Sequence, residues 1–354
     1  MFTLILFACL PAQSYDLAAT EKYSEKSFLF VEKTRSMLIN REDHVDVWDV
    51  DQKRPEVELD LREKGQVGSM GFIPSHEFYV VTVFNDYGKG PILTTYLFDI
   101  DGASIGQVYD HNKDPDKDPT AGELGFSQYL NANNHLYLNI WDRELIGAKE
   151  PPLLQEFRLV PHGYDGWAFE PISNKFSYQD LESRFFGNNY FARWIVEKDA
   201  GEFLVVDELQ PRVWLFRSDD RSIYEEEQTP YSLNLDKRVF HQKYKRDDQS
   251  NAEWLSSFSR VTGFAKLKQG YVITYFTPNS DHRSHNRDGV GASSDNLLFT
   301  LCIQKLDKNL SKIGSPIEKP GAFYIGSSDD RVFLYDYDNE NKKYAYSLLN
   351  VSDF

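Results

Sequence analysis

The chain has 354 residues, and its 39 Lys and Arg against 55 Asp and Glu give a formal charge of -16. A surface that negative repels phosphate backbones, so nucleic acid is not an expected partner. Past the first dozen residues no apolar run approaches the roughly 20 residues of a membrane-spanning helix, and no Gly/Ser or Pro-rich tether divides the chain. Residues 15–354 are therefore expected to form one domain, and 15% Phe, Trp and Tyr suits half-buried pleated surfaces.

Residues 2–10 form an apolar stretch like the core of a secretory signal, although no Lys or Arg precedes it. Leu6-Phe7-Ala8-Cys9 resembles a bacterial lipobox, in which cleavage before Cys9 frees an N-terminal cysteine for acylation. Ala12-Gln13-Ser14 offers a competing cleavage site, and an apolar first strand inside the fold is the alternative to both. Residues 1–14 are thus expected to be a leader, with the mature protein either lipid-anchored at Cys9 in the cell envelope or secreted. Membrane contact is expected only through that anchor. The other cysteine, Cys302, lies in the strand-like run 297–303, where a lone thiol reads as a small buried hydrophobe; two cysteines supply no disulfide framework.

Strand-like segments then recur in quartets. The first comprises 28–31, 36–39, 45–50 and 57–61. The second runs from 70 through 78–84, 92–100 and 105–109. The third contains 126–130, 136–141 and 153–160, with a fourth strand not placed. Residues 190–224 hold the clearest copy: 190–196, 203–207, 212–216 and the stretch after Asp220. The fifth has 261–267, 271–276, 297–306 and 313–317. The last has 322–326, 332–337 and 344–349, one strand short of a quartet.

This series predicts an all-β fold, a six-bladed β-propeller of four-stranded antiparallel blades. A closed ring removes exposed sheet edges only if its ends join, so residues around 15–20 are expected to complete the last blade. A two-layer β-sandwich is the alternative.

The segment 203–216, an apolar strand ending in Asp207, a short turn, then Arg212-Val213 and an apolar strand ending in Phe216, resembles the signature of NHL-type blades. In layout the whole chain is similar to the TolB-like six-bladed propeller lipoproteins of bacteria. Val47-Trp48-Asp49 and Leu97-Phe98-Asp99 keep the Asp-ended third strand but lack Arg-Val. The resemblance implies an architecture and an envelope location; it implies no catalytic set.

Alternating strand direction puts the second-to-third loops and the inter-blade connections on one face. The long segments 110–124, 142–152, 161–189, 226–257 and 278–295 all fall there, and long loops on a rigid scaffold are where binding residues gather. Asp114, Asp116 and Asp118 alternate along one of them and could converge on Ca²⁺, which takes six to eight oxygens; a solvated loop is the alternative. His282, His285 and Asp288 are a zinc-type set that would leave a coordination position open, again against a hydrated loop. Trp141, His162, Tyr164, Trp167 and Trp254 could stack on sugars or peptide side chains, or pack internally. Residues 178–186 and 252–258 have helix-like apolar spacing.

No Gly-x-Ser-x-Gly elbow or phosphate-cradling Gly motif occurs. The leading expectation is a monomeric, non-catalytic binding or scaffold protein that takes a protein, peptide or glycan ligand, with Trp141, His162, Trp167, Trp254, His282 and His285 as ligand-binding candidates. Calcium is the one candidate cofactor. The rival expectations are a hydrolase or lyase, Ca²⁺-dependent and with an axial site, and an envelope sensor of another exported protein.

Overall fold

The computed structural model describes residues 15–16, 28–41, 43–52, 54–86, 91–132, 135–140, 152–163, 166–177, 193–207, 212–219, 222–225, 231–232, 259–278, 299–338 and 343–351. These residues are all-β, with no α-helix among them. In chain order the strands are β1 (Tyr15–Asp16), β2 (Phe28–Val31), β3 (Ser36–Asn40), β4 (His44–Asp49), β5 (Arg54–Asp60), β6 (Gln66–Ile73), β7 (Phe78–Asp86), β8 (Pro91–Phe98) and β9 (Ser104–Tyr109). There follow β10 (Phe126–Ala132), β11 (His135–Ile140), β12 (Pro152–His162), β13 (Gly166–Ser177), β14 (Arg193–Asp199), β15 (Glu202–Asp207), β16 (Arg212–Asp219), β17 (Ser222–Glu225) and β18 (Tyr231–Ser232). The last are β19 (Arg260–Leu267), β20 (Gly270–Pro278), β21 (Phe299–Leu306), β22 (Lys312–Pro320), β23 (Phe323–Ser328), β24 (Arg331–Asp338) and β25 (Lys343–Asn350).

Consecutive strands pair as antiparallel meanders. β2 to β5 form one four-stranded sheet and β19 to β22 another, while β14 to β17 form a third with β18 beside β16. An eight-stranded sheet contains the meanders β6 to β9 and β10 to β13, joined by a parallel seam that sets Trp167 opposite Val108 and Ala168 opposite Tyr109. β23 to β25 gain β1 as an outer strand, Tyr15 opposite Tyr346 and Asp16 opposite Ala345. That pairing falls in the segment expected to close the last unit, and β13 occupies the place of the unplaced fourth strand. It also corrects the reading of 161–189 as loop: 161–162 and 166–177 are strand.

The second strand of each meander is the most deeply buried. Residues 36–39, 79–83, 203–206, 271–277 and 332–335 are buried without alternation, because each lies in a sheet with a neighbour packed on both faces. The third and fourth strands of the first sheet keep the two-residue period instead: β4 turns Val45 and Val47 inward and leaves Asp46 half-buried, and most of β5 is exposed. Apolar clusters fill the space between neighbours in chain order. Leu38 and Val45 meet Phe72 and Val81, Val80 meets Phe157, Tyr137 meets Phe203, Val206 meets Ile273, and Leu301 meets Leu334. The last cluster returns to the start, with Phe333 and Tyr335 against Phe28 and Met37. The first strands follow the same cycle: β2 touches β6, then β10, β14, β19 and β23 follow in turn, and β23 touches β2.

Polar links between neighbouring meanders reinforce this order. Lys33 Nζ donates to the Pro74 carbonyl at 2.7 Å, Asn131 Nδ2 to the Phe72 carbonyl at 2.8 Å and Lys266 Nζ to the Lys198 carbonyl at 2.8 Å. Lys268 reaches Asp329 at 3.5 Å. Turn chemistry repeats too. At the ends of β8 and β21, Asp99 Oδ1 accepts from the amides of Asp101 and Ala103, and Asp307 Oδ1 accepts from those of Asn309 and Ser311. These caps give the Asp-ended third strands a physical cause: the carboxylate satisfies turn amides that no strand partner can reach.

Candidate functional site

Residues 110–124 connect β9 to β10 and are the long connection described in full. Their conformation is set by carboxylates turned back on their own backbone. Asp110 Oδ1 accepts from the Asn112 amide at 2.9 Å, Asp114 Oδ1 from the Asp116 amide at 3.1 Å, and Asp118 Oδ1 from the Thr120 amide at 2.8 Å and its hydroxyl at 2.7 Å. The Asp118 amide donates to the Asp114 carbonyl at 2.9 Å, and Pro115 and Pro119 restrict φ between the turns. Lys117 on Asp114, and the Thr120 donors on Asp118, hold both carboxyls below the ordinary carboxylate range.

Three anchors fix this segment to the sheets. Thr95 Oγ1 donates to the Leu124 carbonyl at 2.9 Å, Gln107 Nε2 to the Gly122 carbonyl at 3.2 Å, and His162 Nε2 to the Lys113 carbonyl at 2.9 Å. Thr95 belongs in turn to a buried hydroxyl cluster in which Thr82 Oγ1 lies 2.8 Å from Thr95 Oγ1 and 2.5 Å from the Tyr129 hydroxyl. Burial drives the Tyr129 phenol well above its usual range.

Of the expected ligand-binding residues, His162 and Trp167 are described, and both sit in strands. His162 holds the connection in place. Trp167 sits in β13, half-buried, with its ring edge-on to His76 at 5.8 Å and Phe78 at 5.5 Å, so it wedges two meanders together; desolvation there lowers the His76 pKa. Trp141, Tyr164, Trp254, His282, His285, Asp288, Cys9 and the leader 1–14 lie outside the described residues, as do the helix-like stretches 178–186 and 252–258. Cys302 is 2% exposed within the cluster between the fourth and fifth meanders.

Asp114, Asp116 and Asp118 do not converge. Among the described residues, the one group of three candidate ligands whose atoms lie within 4.8 Å of one another is His44, Asp46 and Glu58. Strand register assembles it: His44 and Asp46 share one face of β4, and Asp46 lies opposite Glu58 on β5. Val45 and Val47 point the other way, into the core. His44 Nδ1 lies 2.6 Å from Asp43 Oδ1 and Nε2 lies 3.6 Å from Asp46 Oδ1. Arg41 Nε donates to Asp46 Oδ2 at 2.7 Å, and Arg62 engages Glu58 Oε1.

No protein-family model and no curated protein sequence matches the chain. Several solved structures are similar in shape. A luciferin-regenerating enzyme aligns at 10% identity over 95% of this chain and 95% of its own, with a TM-score of 0.47. A protein of unknown function from Bacteroides caccae aligns at 9% identity over 83% and 81%, with a TM-score of 0.42. A β-propeller domain from Myceliophteria thermophila aligns at 9% identity over 96% and 99%, with a TM-score of 0.40.

Sequence reasoning missed the His44 cluster because its members are drawn together by pairing across β4 and β5. The alternation His44-x-Asp46, read with the β4–β5 register, was the available signal. It also missed a glycine and aromatic pairing along the first strands. A Cβ on Gly71 would stand 2.4 Å from Tyr129 Cβ, one on Gly263 2.2 Å from Tyr324 Cε1, and one on Gly326 2.4 Å from Phe30 Cβ. In each case a glycine of one first strand receives an aromatic residue from the next.

Proposed function

We propose that the chain is a six-bladed β-propeller acting as a non-catalytic binding scaffold, with a peptide, protein or glycan ligand taken on the face carrying residues 110–124. The ring reading is supported by the cycle of apolar clusters that returns from the last sheet to the first. It is supported also by the parallel seam at which the eight-stranded sheet divides into two blades.

One observation carries the functional reading: the 110–124 connection is ordered by its own carboxylates and pinned to both flanking blades before any ligand arrives. A loop already held in one conformation loses little entropy on binding, which is how a rigid scaffold gains affinity. Its exposed Lys, Asp and His side chains suit polar recognition. Arrays of glycans and peptides probed with the full chain test this. Binding to a defined chemical class is expected, weakened at least tenfold in a Asp114→Ala, Asp118→Ala double variant. Failure to bind any array member, or equal binding by the double variant, overturns the reading. Export is part of the same proposal, with Cys9 as the acylated N-terminus of a monomer. Intact-mass measurement on protein from its native cell should show a lipidated cysteine, and an unprocessed Met1 refutes it.

A further inference from the structure

A second polar site lies on the β4–β5 pair of the first sheet. His44, Asp46 and Glu58 each present a ligand atom within 4.8 Å of the others. His44 and Asp46 are half-buried, and the strand pairing that aligns them with Glu58 leaves little freedom in their backbones.

The division of labour among their atoms is informative. Asp43 Oδ1 accepts a hydrogen bond from His44 Nδ1 at 2.6 Å, and the other ring nitrogen, Nε2, lies 3.6 Å from Asp46 Oδ1. Two donors bonded to one ion at 2.0–2.1 Å in a tetrahedron stand roughly 3.3 Å apart, so a small closure would bring this pair into range. Arg41 engages the other oxygen of Asp46, and Arg62 engages Oε1 of Glu58, so each carboxylate keeps one oxygen for a further partner. The carboxylate behind the imidazole is the outer-shell arrangement that orients a ligating histidine. Asp43, Asp46, Glu58 and Asp60 face the guanidiniums of Arg41 and Arg62, with the Lys64 ammonium acting on Asp60, so the carboxylates still outnumber the cations.

We propose that His44, Asp46 and Glu58 bind a divalent transition-metal ion of the zinc type, with Asp43 orienting the imidazole. The nitrogen ligand selects this class over calcium and magnesium, which prefer oxygen alone. The ion would pin β4 to β5, and three protein ligands leave a fourth position for water or an exogenous donor.

The test uses the full-length chain stripped with chelator and titrated with Zn²⁺ by calorimetry and with Co²⁺ by visible absorption. One equivalent is expected to bind, with the cobalt bands of a low-symmetry nitrogen and oxygen site. His44→Gln should weaken binding at least 100-fold, and Asp43→Asn about 10-fold, in line with outer-shell substitutions elsewhere. A His282→Ala, His285→Ala variant should retain this equivalent. Glu58→Gln, on a half-exposed side chain, should weaken binding without altering circular dichroism, so the test survives if His44→Gln fails to fold. Absence of zinc binding at 100 µM, taken as roughly the weakest affinity of interest, overturns the proposal. So does binding that Glu58→Gln leaves unchanged or that the His282 and His285 variant abolishes.

Discussion

Gly326→Ala tests the seam where the last sheet packs on the first. Gly326 lies in β23, where a bulge follows Tyr324, and a Cβ there would stand 2.4 Å from Phe30 Cβ and 3.0 Å from two Phe30 ring atoms. Phe30 has no room to retreat, because its ring stacks on Phe333 at a centroid distance of 4.3 Å and its Cβ is fixed to β2. Relief therefore requires the two first strands to separate, and overpacking of this kind costs about 1–3 kcal/mol. In a chain of 354 residues that is a fall of about 1–4 °C in melting temperature. Gly68→Ala is the matched control. Its added Cβ would meet Phe84 and the Thr82 carbonyl at 3.4 Å, and alanine in a strand recovers about 0.5–1 kcal/mol of backbone entropy relative to glycine. Urea midpoints read both variants. Equal stability of Gly326→Ala and the parent, or a loss as large in Gly68→Ala, would refute the close approach of β23 to β2.

Other substitutions address the turns, the hydroxyl cluster and the connection. Asp307→Ala strips two turn amides of their acceptor and should cost about 1–2 kcal/mol by urea unfolding, as loss of a side-chain cap does. Tyr129→Phe removes a hydroxyl from the buried trio and should cost about 1–2 kcal/mol, again by urea midpoint. Asp118→Ala should leave the melting temperature nearly unchanged while hydrogen exchange quickens at Thr120, whose amide it frees. Millimolar Ca²⁺ should leave the parent's melting temperature unchanged, because Asp114 and Asp118 are committed to their turns and no three ligand atoms of this connection converge. The pKa of His76 is lowered by burial in the fold, so the unfolded chain binds the proton more tightly. Stability is then expected to fall as pH drops through about 6.5, the unfolded value. A His76→Phe variant should lose that part of the pH dependence in urea unfolding measured between pH 5 and 8.

Strand content was legible because the buried strands carry their signal locally. Runs such as Phe203-Leu204-Val205-Val206 and Tyr271-Val272-Ile273 are apolar at every position, as a strand with neighbours on both faces must be, and the third strands end in an Asp that caps its own turn. β13 was not legible for the opposite reason. Gly166–Ser177 contains Pro171 and Asn174 and departs from alternation, because it bends at a register shift where Phe157 pairs with Pro171. Its pairing with β9 joins Trp167 to Val108 and Ala168 to Tyr109, far apart in the chain, which no local pattern reports.

The candidate sites divide along the same line. Asp114, Asp116 and Asp118 are conspicuous in sequence because they lie close together, yet Asp114 and Asp118 each turn back to accept from the backbone amide two residues on. Short-range acidic patterns are therefore weak indicators of a metal unless something prevents the side chains from capping their own turns. His44 and Asp46 escape that competition. β4 lies between β3 and β5 and has its amides engaged across the sheet, and pairing with Asp46 presents Glu58 of the edge strand β5 beside them. A ligand set built across a strand pair is harder to see in sequence, and it is better placed to stay available for an ion.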